Sequence, residues 1–153
     1  MKITLLPVTK ENGIEAIKIK PNPPDLERLH YNSHWIGHSF IHSDVQSFLV
    51  KFNSEYIGFV CFGQCYSDDY LLDKELEGIA ELYQIVIKPV YQNKGYGKLV
   101  INEVLREVKN QNYKVLRVAY HPDSERASYF YKSLGFIEFG KNYDGDPYLE
   151  TVV

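Results

Sequence analysis

Apolar positions along this chain follow two periods. Alternating or continuous apolar runs of strand length are "KITLLPV" at the start, "VQSFLVKF" and "YIGFVCFGQCY" separated by the turn-length "NSE", "IAELYQIVIK" closed by Pro89, and "KVLRVAYH". The closing "FIEFGKNYDGDPYLETVV" predicts two short strands around an "NYDGDP" turn. Helical spacing governs much of the rest. "NGIEAIKIK" predicts a short amphipathic helix halted by Pro21, Pro23 and Pro24, and a second helix is expected from about Asp25, with Leu26, Leu29 and Trp35 along one side. Val100, Ile101, Val104, Leu105 and Val108 predict a longer helix after "PVYQNKGYGKLV", and "SERASYFYKSLGF" one from Ser124 that ends at Gly135. "IAELYQIVIK", the helix after it and "KVLRVAYH" make a strand–helix–strand unit, whose parallel pairing needs a right-handed crossover.

Composition narrows the class. A chain of 153 residues, 44% hydrophobic and 14% aromatic, is the right size for one substantial core, so residues 1–153 are expected to form a single domain. A formal charge of −3 gives no broad footprint for nucleic acid. The apolar runs fall far short of the roughly 20 residues a membrane helix needs, and "MKITLLPVTKEN" lacks the features of a secretory signal. A cytoplasmic enzyme or binding domain is the expectation.

Cys61 and Cys65 sit in a predicted strand, where four residues span about 13 Å, beyond disulfide reach. They read as reduced, small buried side chains. In "HYNSHWIGHSFIH", His30, His34, His38 and His42 repeat every four residues and fit one helix face, and two histidines at that spacing can share a metal. Gly37 is expected to interrupt that helix, and neither an acidic nor a Cys ligand accompanies the histidines, so no metal is expected.

The glycine stretch carries the chemistry. Glycines let a ligand approach the backbone, and the first turn of a helix presents unpaired amides to anions. Lys94 and Lys98 beside such a loop suit a polyanion. A nucleotide-triphosphate loop would need Gly at position 92 and Ser or Thr at 99, where Gln92 and Leu99 stand; a dinucleotide fingerprint would need a small residue in place of Val100. What fits is Gln92, Gly95 and Gly97, in the order Q-x-x-G-x-G between a strand and a helix. This resembles the acetyl-coenzyme A pyrophosphate loop of the GNAT family of N-acetyltransferases. "SERASYFYKSLGF" is similar to that family's second motif, with Ala127, Tyr131, Gly135 and Phe136 in order. Ser124 stands where many members have Asn, and serine also caps a helix.

The resemblance implies an α+β fold of the α/β class: a central mixed, mostly antiparallel sheet of about six to seven strands flanked by about four helices. It implies acetyl-coenzyme A as cofactor, held by Gln92, Asn93, Lys94, Gly95, Tyr96, Gly97 and Lys98, by Ser124 and Ala127, and by the backbone of Ile85, Val86 and Ile87. An alkylamine with a pKa of about 10.4 must lose a proton before it attacks a thioester. Glu81 matches the family's carboxylate base, and Tyr131 matches the tyrosine that protonates the leaving thiolate. Tyr83 shares Glu81's strand face and is expected to meet the acceptor. Tyr31, Trp35 and Phe40 are expected as wall or core of the acceptor site, Tyr129 and Phe130 as packing.

Asp68, Asp69, Asp73, Glu75, Glu77 and Glu81 gather before and in the strand and would attract a cationic amine. With the "NYDGDPYLE" tail, they resemble bacterial diamine or polyamine acetyltransferases. The reading is therefore an N-acetyltransferase for a small cationic amine, by direct transfer, and the resemblance leaves room for a homodimer, which is common in that family. A protein N-terminus or lysine as acceptor is the alternative, and a non-catalytic acetyl-coenzyme A sensor is the alternative of another class.

Overall fold

Among the described residues, seven strands form one sheet: β1 (Ile3–Pro7), β2 (Val45–Phe52), β3 (Glu55–Gln64), β4 (Ile79–Ile87), β5 (Val115–Ala119), β6 (Ile137–Lys141) and β7 (Pro147–Val152), in the order β1-β2-β3-β4-β5-β7-β6. Among the described residues, five α-helices accompany it: α1 (Gly13–Lys18), α2 (Pro23–Leu26), α3 (Asn32–Ile41), α4 (Tyr96–Asn110) and α5 (Glu125–Ser133). The structure is a computed structural model and describes residues 2–26, 28–67, 71 and 73–153. None of the described helices is long and apolar enough to cross a membrane.

The sheet is mixed. β1 with β2, β5 with β7 and β6 with β7 are antiparallel. β4 and β5 are parallel, because α4 carries the chain back between them. Their register covers Ile79–Leu82 against Val115–Val118, so Tyr83–Ile87 run past the pairing.

The chain packs as two compact units. One comprises Met1–Phe62 and Tyr83–Val104. Its core includes Leu49, Val50, Ile57, Phe59, Val60, Val100 and Ile101, all fully buried, and burying each such side chain contributes about 1.5–3 kcal/mol. Asn53, with φ 54°, makes the turn expected between β2 and β3.

The helix expected from Asp25 is instead two helices. Pro23 and Pro24 start the single turn Pro23–Leu26, and Tyr31 is extended (φ −63°, ψ 150°) before α3 begins at Asn32. The reason is long-range: the buried Asn32 amide donates to the carbonyls of Ala16 and Ile19, at 2.9 Å each. Trp35 therefore belongs to a different helix from Leu26. Gly37 does not interrupt α3, since one glycine costs a helix only about 1 kcal/mol.

The other unit comprises Gly63–Leu82 and Leu105–Val153. Ala80, Val108, Leu116 and Leu149 are fully buried in it. Asp73 caps a short 3-10 turn, Lys74–Leu76, by accepting from the Glu75 amide at 3.0 Å. Ser124 caps α5, and Gly135 with φ 93° follows it, as the sequence predicts.

Candidate active site

Strand alternation sorts β4. Ala80, Leu82, Gln84 and Val86 are buried, while Glu81, Tyr83, Ile85 and Ile87 are half-buried on the other face. Glu81 thus shares a face with Tyr83, and it is held. Its Oε1 accepts from the hydroxyl of Tyr148 on β7 and from Cys65 Sγ at 3.8 Å. Cys65 Sγ and Tyr148 Oη are themselves 3.6 Å apart.

A charged row crosses this part of the sheet. Glu81 is in register with Arg117, and Arg117 with Glu150. Arg117 Nε bonds Glu150 Oε2 at 3.1 Å, and its guanidinium lies 4.7 Å from the ring of Phe139 and 5.6 Å from that of Tyr148. Burial, then the charge of Glu81, pushes the Tyr148 phenol far above its ordinary value. The same two causes push the Cys65 thiol up to about 11. Both groups keep their protons at neutral pH and act as donors to the carboxylate. Both free cysteines are buried.

The glycine loop is built for backbone donors. After the 3-10 turn Pro89–Tyr91, Asn93 (φ 61°) and Gly95 (φ 86°) take left-handed conformations before α4 starts at Tyr96. Such alternation turns successive amides toward one side, where they favour an anion together with the helix N-terminus. A Cβ at Gly95 would meet nothing within 4 Å, so φ, not crowding, demands glycine there. Lys94 and Lys98 are exposed beside the turn.

The Gln92 side chain points into the structure. Its Nε2 donates to the Ile87 carbonyl at 2.9 Å, and its Oε1 accepts from Asn22 at 2.7 Å, so it braces the loop on the end of β4. Tyr96 packs its ring against Phe52 and Tyr91, at 5.1 and 5.8 Å. An exposed turn of backbone amides, two lysines and a helix start fit the diphosphate of a coenzyme A-type ligand.

On α5, Ser124 Oγ accepts from the Ala127 amide at 3.3 Å. The outer side of this helix lines a concavity with Tyr120, Pro122, Ser128 and Lys132. Tyr129, expected in packing, is 77% exposed and lines the same concavity. Tyr131 is only 5% exposed and packs edge to face on Phe130 and Phe136. Burial raises its phenol well above the usual range, so it is a proton donor and not a base.

Two of the residues expected around the acceptor meet: Trp35, buried on α3, stacks on Tyr83 with centroids 5.2 Å apart. Tyr31 is 69% exposed and lines a hollow with Leu26, Leu29 and Gln84. Gln84 Nε2 donates to the His30 carbonyl and to Asn32 Oδ1, at 2.8 and 3.2 Å. Phe40 is 91% exposed, so it is neither wall nor core. Asp68 and Asp69 lie outside the described residues.

The four histidines form a ladder, with centroid steps of 4.2, 4.7 and 6.2 Å. Burial, then the neighbouring imidazoles, lowers the pKa of His34 and of His38. Among the described residues no group of three or more His, Cys, Asp or Glu is arranged to hold a metal. Sequence reading missed Tyr148 and Cys65 as partners of Glu81. Period 2 does put Tyr148 on the same face of β7 as Glu150, but nothing local pairs it with a residue 67 positions earlier.

Comparison with known proteins places this geometry. A profile described as the acetyltransferase (GNAT) family matches residues 12–136. An uncharacterized N-acetyltransferase of Methanocaldococcus jannaschii is 26% identical over 91 residues, 60% of this chain and 38% of that protein. A ribosomal protein bS18-alanine N-acetyltransferase of Haemophilus influenzae is 31% identical over 70 residues, 44% of this chain and 47% of the relative. The matched region is thus less than half the length of either relative. The aminoglycoside acetyltransferase AAC(6')-Ib in complex with coenzyme A has the same fold, with a TM-score of 0.82 at 16% identity, over 99% of this chain and 95% of that one. The profile takes in the first helix, the glycine loop and the α5 motif on a mixed seven-stranded sheet of that fold, and so the chain belongs to the GNAT acetyltransferase family.

Proposed function

We propose that this chain, as one domain, is an acetyl-coenzyme A-dependent N-acetyltransferase for a primary amine of a small cationic acceptor such as a diamine or polyamine. The observation that carries the reading is Glu81: a half-buried carboxylate, held by Tyr148, on the strand that leads into the glycine loop. Bound acetyl-coenzyme A supplies an activated thioester.

The chain supplies the rest. Asn93, Lys94, Gly95, Tyr96, Gly97 and Lys98, braced by Gln92, hold the diphosphate at the start of α4, and Ser124 and Ala127, at the start of α5, are assigned to the same ligand. The backbone of Ile85, Val86 and Ile87, past the β5 pairing, aligns the pantetheine arm. Glu81 takes a proton from the acceptor ammonium, directly or through water, and the freed lone pair attacks the carbonyl carbon. The C–N bond forms as the C–S bond breaks. Tyr131 gives its proton to the departing sulfur, and the second proton lost by nitrogen restores it. Tyr83 and Trp35 wall the acceptor, with Tyr31 at the rim. Asp73, Glu75 and Glu77 are exposed and favour a cation, in concert with Asp68 and Asp69.

Direct transfer is supported by the cysteines. Cys61 and Cys65 are buried with thiols near 11, so neither is a ready nucleophile. A protein N-terminus is the second reading for the acceptor, favoured by the match to the Haemophilus relative. The test is thiol release from acetyl-coenzyme A, with product mass, on diamines, spermidine, aminoglycosides and peptides. Acetylated polyamine supports the proposal, acetylated peptide alone moves the acceptor to a protein, and binding without turnover on any amine overturns the enzymatic reading in favour of a sensor.

A further inference from the structure

The geometry points to Tyr148 as a positioning residue of the transfer site: its hydroxyl fixes the Glu81 carboxylate, and Arg117, Glu150 and Phe139 fix the Tyr148 ring. The inference rests on reading Glu81 as the base. It concerns a part of the chain, β6 and β7, that lies beyond the family profile's last matched residue, 136.

A base must hold an oxygen within hydrogen-bond reach of the proton it takes. A glutamate has three torsions, and a half-buried one left to itself would sample several orientations. Here two donors, Tyr148 Oη and Cys65 Sγ, converge on the same oxygen, Oε1. Two donors on one oxygen set the rotation of the carboxylate plane. The Tyr148 ring lies 5.0 Å from that of Phe139, with the Arg117 guanidinium 5.6 Å away. Arg117 is in turn tied to Glu150 at 3.1 Å and stacked over Phe139 at 4.7 Å. Three strands, β5, β6 and β7, thus hold one phenol against one carboxylate.

The titratable and charged groups around Glu81 include Tyr148 and Glu150 on β7, Cys65 after β3 and Arg117 on β5. A hydrogen bond to a carboxylate favours its charged form, so removing the phenol hydroxyl makes the carboxylate keep its proton to higher pH. A rate that needs the deprotonated base is then lost at a higher pH as acid is added.

The experiment uses the full chain with Tyr148→Phe, Glu81→Gln and the double variant, and melting temperatures to check folding. Tyr148→Phe keeps the ring and its contacts. With the acceptor that the amine panel identifies, its kcat is expected to fall about tenfold, with KM for acetyl-coenzyme A unchanged and the acidic limb of kcat/KM moved to higher pH. In the Glu81→Gln background the same change is expected to add nothing. A readout without cofactor is the 13C NMR titration of carboxyl-labelled glutamate, the Glu81 resonance being the one lost in Glu81→Gln; its midpoint is expected to move up in Tyr148→Phe. Glu150→Gln, which loosens the ring's clamp, is expected to give a smaller shift of the same sign. An unmoved midpoint, an unmoved pH profile, or an equal loss in the Glu81→Gln background overturns the inference. Full turnover by Glu81→Gln instead sinks the base reading, and the NMR midpoint still judges the contact.

Discussion

Gly58 on β3 is the position where the structure sets the sign of a substitution most clearly. A Cβ added there would lie 2.5 Å from the Val86 carbonyl oxygen, 3.0 Å from Ile87 Cδ1 and 3.5 Å from Ile87 Cα. Carbon–oxygen contacts between strands sit at about 3.3–3.6 Å, so the β4 backbone has to retreat. Replacing a strand glycine by alanine would otherwise gain about 0.5–1 kcal/mol, whereas overpacking against backbone costs about 1–3 kcal/mol. The net expectation for Gly58→Ala is a loss centred on about 1 kcal/mol, and at about 2–4 °C per kcal/mol for a chain of this size the melting temperature falls by about 2–4 °C. Gly37→Ala is the control. Gly37 is exposed in α3 with nothing within 4 Å of an added Cβ, and a gain of about 1 kcal/mol raises the melting temperature by about 2–4 °C. Thermal unfolding by circular dichroism reads both. Calorimetric titration of acetyl-coenzyme A into Gly58→Ala is expected to show several-fold weaker binding, because the displaced atoms belong to the backbone proposed to align the pantetheine arm. Equal or higher stability of Gly58→Ala would refute the steric reasoning, and lost stability with unchanged affinity would refute the link from Val86 and Ile87 to the cofactor.

Other expectations follow from the same geometry. Glu81→Gln should lower kcat by about 10²–10⁴ with little change in acetyl-coenzyme A binding; full turnover in steady-state assays would remove Glu81 from the chemistry. Tyr131→Phe should lower kcat with leaving-group protonation as the affected step, seen as a smaller loss with a more acidic thiol ester. Gln92→Ala, which frees the loop from Ile87 and Asn22, should raise the Kd for coenzyme A about tenfold (about 1.4 kcal/mol) while kcat at saturation changes little, measured by calorimetry and initial rates. Burial raises the Cys61 thiol from 9.0 to about 11. Because the folded state keeps that proton longer than the unfolded chain, its stabilising contribution is full below about pH 9 and lost as pH rises toward 11, on the order of 2–3 kcal/mol. Urea midpoints at about pH 8 and about pH 11 should fall less for Cys61→Ala than for the parent.

The elements that carry the cofactor motifs were legible because their causes are local. Pro89 after an apolar run, glycine at a position with φ 86°, helical spacing from Val100 and a serine cap before α5 all act within a few residues. The errors fall where a distant partner decides. The buried amide of Asn32 reaches back to Ala16 and Ile19 and splits the expected helix. Gln92 carries the motif, yet its side chain is engaged by Asn22, seventy positions away. Phe40 and Tyr129 are aromatic at helical positions, and residue type alone does not say which side of a helix faces water. Tyr148 comes to Glu81 only through the register of β4, β5 and β7.

The most direct measurement is a single-turnover incubation of the protein with acetyl-labelled acetyl-coenzyme A, without and then with the amine panel. The expected result is a protein that carries no covalent label when acceptor is absent, and label transferred to an amine nitrogen when it is present. Label fixed on the protein would contradict direct transfer, and label that stays on coenzyme A with every amine would contradict acetyl transfer itself.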